Sequence, residues 1–399
     1  MTASIEFFPV GDGDMTLIRL ATGRTILIDI NIRNDADNDN KEDCPDVAKM
    51  LKDRLPRDAS NENRPYVDAF ILTHPDQDHC GGLRTHFHLG APSDWKKPED
   101  DEPETIVIHE MWSSPLTFRR MKSADGKLVD DAKAWQKEAK RRVALAKKGE
   151  GSANDLGNRV KIIGQDRDHK TDGIEHLVVK VGERVNEICG EEDASFSTLL
   201  LSPKLVTKKE ADELSGKNNS SIVMQLSISP YKDKIEDKSV TKFLTGGDAE
   251  VDIWKRVWSR NQETPENLAY QVLQTPHHCS LGALSHDNYN DQSGKNGKGE
   301  ECEIDEGAHS ALSQAKNGAY IIASSKQPEK NTGKDLAKRK YERIAGKAEG
   351  EFLCTMKDSP DEPLMLEITE DGPKPPRKKS AIAAPPPKTQ KGRTERGYA

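Results

Sequence analysis

The chain of 399 residues has no stretch approaching the roughly 20 apolar residues that a bilayer-spanning helix needs. Its opening, MTASIEFFPV, has no basic segment leading into an apolar one, so neither a secretory leader nor a membrane association is expected. Cysteine is sparse. The six (Cys44, Cys80, Cys189, Cys279, Cys302 and Cys354) show no CxxC pairing and are too few for a disulfide scaffold at this length, so they read as free thiols of a reducing, cytoplasmic compartment. Aromatic residues make up 5% and apolar residues 34%, against 32% charged, which points to solvated insertions around an ordinary core. The formal charge of −8 is uneven. From Gly372 onward there are 8 Lys and Arg against 1 acid, whereas the preceding residues carry 52 against 67. An acidic body argues against non-specific binding to duplex nucleic acid over a broad surface, and the basic tail leaves a local contact open.

Short apolar, β-branched runs at 5–10, 15–20 and 25–30, punctuated by Gly11, Gly13 and Gly23, predict an antiparallel meander. An acidic Asn-rich loop (31–44) follows, and helical spacing behind Pro45 predicts a helix over 45–55. The run VDAFILT (67–73) is the kind of strand that is buried on both faces. Further strands are expected at 105–112, 160–163, 176–181, 197–202, 221–229, 240–245, 270–274, 319–323, 351–356 and 363–368, with helices near 129–148 and 333–344. The chain therefore reads as one α/β domain over 1–371, with insertions at about 113–158 and 285–307, the second a possible lid. Residues 372–399, rich in Pro and Lys, form a disordered basic tail.

Chemistry concentrates directly after the buried strand 67–73, where strand-end loops commonly hold ligands. In HPDQDH, four of six residues can ligate a metal: His74, Asp76, Asp78 and His79. Alternate residues of an extended segment share a face, so His74, Asp76 and Asp78 can lie on one side, while a turn at Asp78 and His79 lets that adjacent pair address a second ion. A polar loop capping the next helix would explain one His and one Asp, but not this density. Asp248 follows an apolar run and two glycines that permit close backbone approach, although it also suits a helix cap. In TPHHCS, His277 is taken as the ligand, with His278 as the alternative. His109, ending a predicted strand, is a weaker candidate, and Cys80 and Cys279 read as packing residues.

These segments together resemble metallo-β-lactamase fold hydrolases. THPDQDHCGG (73–82) is similar to the family's HxHxDH motif with Asp in place of the second His. FFPVGDGDMTLIRLATGRTILIDI (7–30) resembles its opening strands, with Asp29 at the first motif. KNNSSIVMQLS (217–227), FLTGGDAE (243–250) and LQTPHHCS (273–280) resemble the NNSxVL, TGDAE and PHHGS elements of the subgroup that includes the soluble hydrolase domain of ComEC-type DNA-uptake channels.

The resemblance implies an αββα sandwich of two mixed sheets flanked by helices. It implies one or two divalent ions, zinc or manganese. His74, Asp76 and Asp248 would hold the first, and Asp78, His79 and His277 the second, with Asp248 bridging; Asp29 and His278 would stand behind the ligands. Asn218 or Asn219 occupies the place of the family's third-motif His, and no late His-Pro pair follows the penultimate strand. The expected function is metal-dependent phosphodiester hydrolysis of DNA, RNA or a nucleotide by a metal-bound hydroxide, with Asp78, Asp248 and Asn218 catalytic. The alternatives are acyl or thioester hydrolysis and a non-catalytic metal-binding regulator, and a protein partner remains open.

Overall fold

The computed structural model describes residues 2–34, 45–99, 102–123, 127–166, 171–207, 210, 214, 218–233, 239–287, 289–290, 295–296 and 302–375. Residues 376–399 of the expected tail, residues 35–44 of the acidic loop with Cys44, and much of the segment expected as a lid lie outside these residues, whereas Gly372–Lys374, expected to begin the tail, is a strand paired with Leu364–Thr369.

Two mixed sheets face each other. In spatial order the first contains Val178–Val179, Arg159–Ile163, Ile106–Ser113, Arg64–Ile71, Thr25–Ile28, Thr16–Arg19, Ser4–Phe7, Leu364–Thr369 and Gly372–Lys374. The second runs Arg184–Val185, Phe196–Ser202, Val223–Ile228, Thr241–Thr245, Tyr270–Gln274, Ala315–Ala323 and Glu351–Cys354. Each sheet opens as an antiparallel meander and continues in parallel strands. The changeover falls between Thr25–Ile28 and Arg64–Ile71 in the first sheet, and between Thr241–Thr245 and Tyr270–Gln274 in the second.

The layering follows from the two-residue period of side chains along a strand. Ile26 and Ile28 face the second sheet, joining Ile5, Ile18, Ile71, Met224, Phe243 and Val272 in a central core. Leu27, between them, turns outward to a core shared with Val47, Leu51, Trp135 and Phe70. In the second sheet Phe243 points inward and Leu244 outward, toward Trp254, Ala311 and Tyr341. Helices therefore cover both outer faces: Val47–Arg54 and Asp130–Lys148 on the first sheet, and Val251–Asn261, Glu306–Leu312 and Gly333–Lys347 on the second. Side-chain caps set several of their starts: Asp46 accepts from Lys49 N, Asp305 from Ala308 N and Thr332 from Asp335 N.

The segment 113–158, set apart above as an insertion, supplies one of these covering helices. Within Asp130–Lys148, Trp135 is fully buried, meets the Phe70 ring edge-on at 4.8 Å and donates from its indole nitrogen to Ser113 Oγ at 3.0 Å. At the start of the same helix, Asp131 accepts from the backbone nitrogens of Gly82 and Arg84, both at 3.1 Å. The helix is thus tied to the chain immediately after the HPDQDH motif. No helix among the described residues is long and apolar enough to cross a membrane.

Candidate metal centre

The chemistry-bearing residues converge where the two sheets change from antiparallel to parallel. Asp29 follows Thr25–Ile28 and the HPDQDH motif follows Arg64–Ile71, while Asp248 and the His277–His278 pair follow the corresponding strands of the second sheet. Parallel neighbouring strands end on the same side and leave their C-terminal loops side by side, so four loops from two sheets meet.

Asp248, 2% exposed, stands at the centre. Its Oδ1 lies 2.9 Å from His79 Nε2 and 3.2 Å from His278 Nε2, and the two ring nitrogens are 3.3 Å apart. Asp78 Oδ2 approaches the same His278 nitrogen at 3.3 Å. Asp248 Oδ2 lies 3.6 Å from His74 Nε2 and 3.7 Å from His277 Nε2. The donors therefore sort into two sets about one carboxylate, with His79, His278 and Asp78 on one oxygen and His74 and His277 on the other.

This sorting differs from the expected grouping and brings forward the alternative kept for His278. His278, given a supporting role from the sequence, faces His79 directly, and His277 joins His74. The reason is backbone shape: His277, His278 and Cys279 have positive φ values of 51°, 51° and 65°, and the resulting left-handed turn sends adjacent rings to opposite sides of Asp248. Three consecutive non-glycine residues in that region cost roughly 1 kcal/mol or more each, a strain typical of functional sites. Asp76 begins the short helix Gln77–Cys80, and its backbone carbonyl accepts from the His79 and Cys80 nitrogens; its carboxylate is not among the tightest cluster of ligand atoms. Asn218, expected to be catalytic, donates from Nδ2 to Glu250 Oε1 at 2.9 Å, and Glu250 Oε1 stands 3.9 Å from His277 Nδ1. The Asn218 amide nitrogen thus braces Glu250 behind His277.

Two carboxylates hold the far sides of the central rings. Asp29 is fully buried and its Oδ2 is 2.7 Å from His79 Nδ1, while its Oδ1 accepts from Thr73 N at 2.7 Å. Asp14 Oδ1 lies 3.4 Å from His278 Nδ1. Asp14 belongs to the tight group of potential ligands with His79, Asp248 and His278, and it approaches His278 from the Nδ1 side without a hydrogen bond between Asp14 Oδ1 and that nitrogen. Asp14 was not singled out from the sequence. The available signal was Gly13, where a Cβ would meet Asn31 and the Asp78 carbonyl, so the GDGD loop must lie directly against the motif. Gly247 plays the same part for Asp248: at φ +49° any Cβ would strike the Thr73 hydroxyl.

Burial and charge act in opposite directions here. Burial alone would drive His79 and His278 toward neutrality, but Asp248, with Asp29 and Asp14 behind, outweighs it and raises both well above the usual histidine value. Asp248 is correspondingly held well below the ordinary carboxylate range, where the neighbouring rings overcome burial. Asp78 is also lowered: burial pushes it up, but the hydrogen bond from His278 and the charges of His79 and His278 together outweigh it. His74 goes the other way; burial, reinforced by His79, lowers it to about 3, so it is a neutral ring at neutral pH. Burial raises Asp29 to about 6, with His79 opposing.

The chain matches no protein-family model and no curated protein.

The residues fit a divalent cation on their own chemistry. His74 Nε2 and Asp14 Oδ1 are buried without a hydrogen-bond partner, although donors and acceptors crowd around them. Orphaned buried lone pairs that converge from imidazole and carboxylate are satisfied by a borderline cation such as zinc or manganese. Ligation requires neutral imidazoles, so metal uptake must expel the protons that the raised pKa values place on His79 and His278. Affinity is therefore expected to weaken as pH falls, and calorimetry in buffers of differing ionisation enthalpy should show net proton release; an absence of release would contradict the assignment. Replacing the orienting carboxylate, Asp29→Asn, should weaken metal binding about 10- to 100-fold while leaving the direct donors in place. Unchanged affinity in a metal titration would remove Asp29 from this role.

Proposed function

We propose that the chain is a metal-dependent hydrolase of the metallo-β-lactamase fold, acting on phosphodiesters of DNA, RNA or a nucleotide. The single observation carrying this reading is the buried Asp248 carboxylate shared between two sets of histidines at four strand ends. Support for the fold comes from the order of the five motif-like segments along the chain and from two facing mixed sheets with helices outside.

His79, His278, Asp78 and Asp248 would hold one cation, and His74, His277 and Asp248 a second. The bound ions would supply Lewis acidity toward a phosphoryl oxygen and lower the pKa of a water. The protein's own contribution is positioning. Asp29 fixes the ring plane of His79, Asp14 stands on the Nδ1 side of His278, and Glu250, braced by Asn218, stands behind His277. Asp78, half-buried and held ionised, can orient an attacking water by accepting its hydrogen bond at an oxygen already beside the centre. The Asn218 side chain acts at a distance in this reading rather than on the substrate.

The test is hydrolysis of bis-p-nitrophenyl phosphate and of labelled single- and double-stranded DNA with Mn²⁺ or Zn²⁺, comparing wild type with Asp78→Ala. Metal-dependent cleavage lowered about 100-fold or more by the substitution is the expected result, at least the scale of disturbing a metal ligand's support. Absence of cleavage by folded, metal-loaded protein would overturn the phosphodiesterase reading in favour of a carbonyl substrate or a non-catalytic metal-binding role.

A further inference from the structure

Asp68, His109 and Cys189 come from three separate parts of the chain, yet each offers a ligand atom within 4.8 Å of the others. Asp68 lies on the strand Arg64–Ile71, five residues before Thr73, which places this group roughly 16 Å along the strand from the centre described above. Asp68 Oδ2 is fixed by the Thr25 backbone nitrogen at 2.8 Å and the Thr25 hydroxyl at 3.0 Å. Its Oδ1 faces His109 Nδ1 at 3.7 Å. His109 is 5% exposed, its Nδ1 is buried with no hydrogen-bond partner, and the Tyr66 ring stacks on it at 4.2 Å, setting its plane.

The third donor arrives on a hairpin whose turn chemistry is unusual. Glu187–Ile188 pairs with Glu191–Glu192, and the two-residue turn Cys189–Gly190 has φ values of 57° and 78°. Positive φ at both turn positions matches the right-handed twist of a hairpin, and the first is ordinarily Asn, Asp or Gly. A cysteine there accepts backbone strain of about 1–2 kcal/mol, and what the strain achieves is placement: Sγ is turned inward, 3.2 Å from the Asp68 carbonyl. Arg24 anchors the hairpin through the Ile188 and Glu191 carbonyls at 3.4 and 3.2 Å.

We propose that Asp68, His109 and Cys189 form a second cation site, of the zinc class, which pins the Glu187–Glu192 hairpin to the first sheet. Thiolate, imidazole and carboxylate together suit a borderline ion in tetrahedral coordination, with water in the fourth position. Ligand atoms around such an ion stand roughly 3.5 Å apart, so closing the site needs shifts of about 1 Å. Binding deprotonates the Cys189 thiol and releases its proton to solvent; no redox step is involved.

The test is a cobalt(II) titration of the full chain, read by the thiolate-to-cobalt charge-transfer band in the near ultraviolet. Among the described residues, this is the one group of three or more converging metal-ligand side chains that includes a thiol. The band should appear in wild type and in Cys80→Ser, and vanish in Cys189→Ser. Cobalt uptake by wild type without the band, or a band that survives Cys189→Ser, would overturn the proposal. Alkylation of Cys189 in unmutated protein gives an independent reading: zinc at about 100 times its dissociation constant should slow it about 100-fold, and His109→Ala should abolish that protection. Equal alkylation rates with and without saturating zinc would likewise overturn it.

Discussion

Asp248→Asn is expected to weaken zinc or manganese binding about 1000-fold or more, beyond the 10- to 100-fold that losing an orienting residue costs. The substitution keeps the shape of the side chain and removes its charge. Both carboxylate oxygens face ring nitrogens, Oδ1 those of His79 and His278 and Oδ2 those of His74 and His277. An amide offers one acceptor and one donor in place of two acceptors, so one of the two donor sets meets an N–H where it needs a lone pair. The loss propagates without metal as well. Asp248 is the largest influence raising His79 and His278 against burial, so both histidines should titrate at lower pH in the variant. Isothermal titration with metal, together with histidine chemical shifts followed through pH, reads both effects. Affinity within about tenfold of wild type would remove Asp248 from the centre.

Trp135→Ala is expected to cost about 3–5 kcal/mol of folding stability, the range for emptying a large aromatic from a well-packed core. The site cannot collapse easily, because Phe70 meets the ring edge-on and lies on the strand that leads into His74. Ser113 also loses the indole nitrogen that donates to it. The helix carrying Trp135 holds Gly82 and Arg84 through Asp131, so loosening it should disturb the motif loop and lower metal affinity in the same variant. Chemical denaturation with and without metal tests both parts. A loss below about 1 kcal/mol would return this helix to the status of a peripheral insertion.

Most of the strands were legible because their apolar runs are short, β-branched and bounded by turn residues. The strand expected at 105–112 is observed at Ile106–Ser113, and that expected at 270–274 at Tyr270–Gln274. The density of ligand types in HPDQDH likewise pointed to its neighbourhood. Three features were not legible for physical reasons. The choice between His277 and His278 depends on a left-handed backbone turn that neither residue type favours. Asp14 is an ordinary turn residue until Gly13 lets its loop press against the motif. The helix Asp130–Lys148 looks peripheral because three of its buried residues, Asp131, Glu138 and Arg142, are charged and mask the buried face that they share with Ala132, Trp135 and Ala139. Cys189 could be read only as a free thiol until the hairpin placed it beside Asp68 and His109.

The central claim is that the carboxylate shared by the two histidine sets holds the metal on which hydrolysis depends. The most direct measurement is the rate of bis-p-nitrophenyl phosphate hydrolysis as manganese is titrated into wild type and Asp248→Asn side by side. The account predicts saturable, metal-dependent turnover in wild type and none in the folded variant at the same metal concentrations. Equal turnover by both proteins would contradict it.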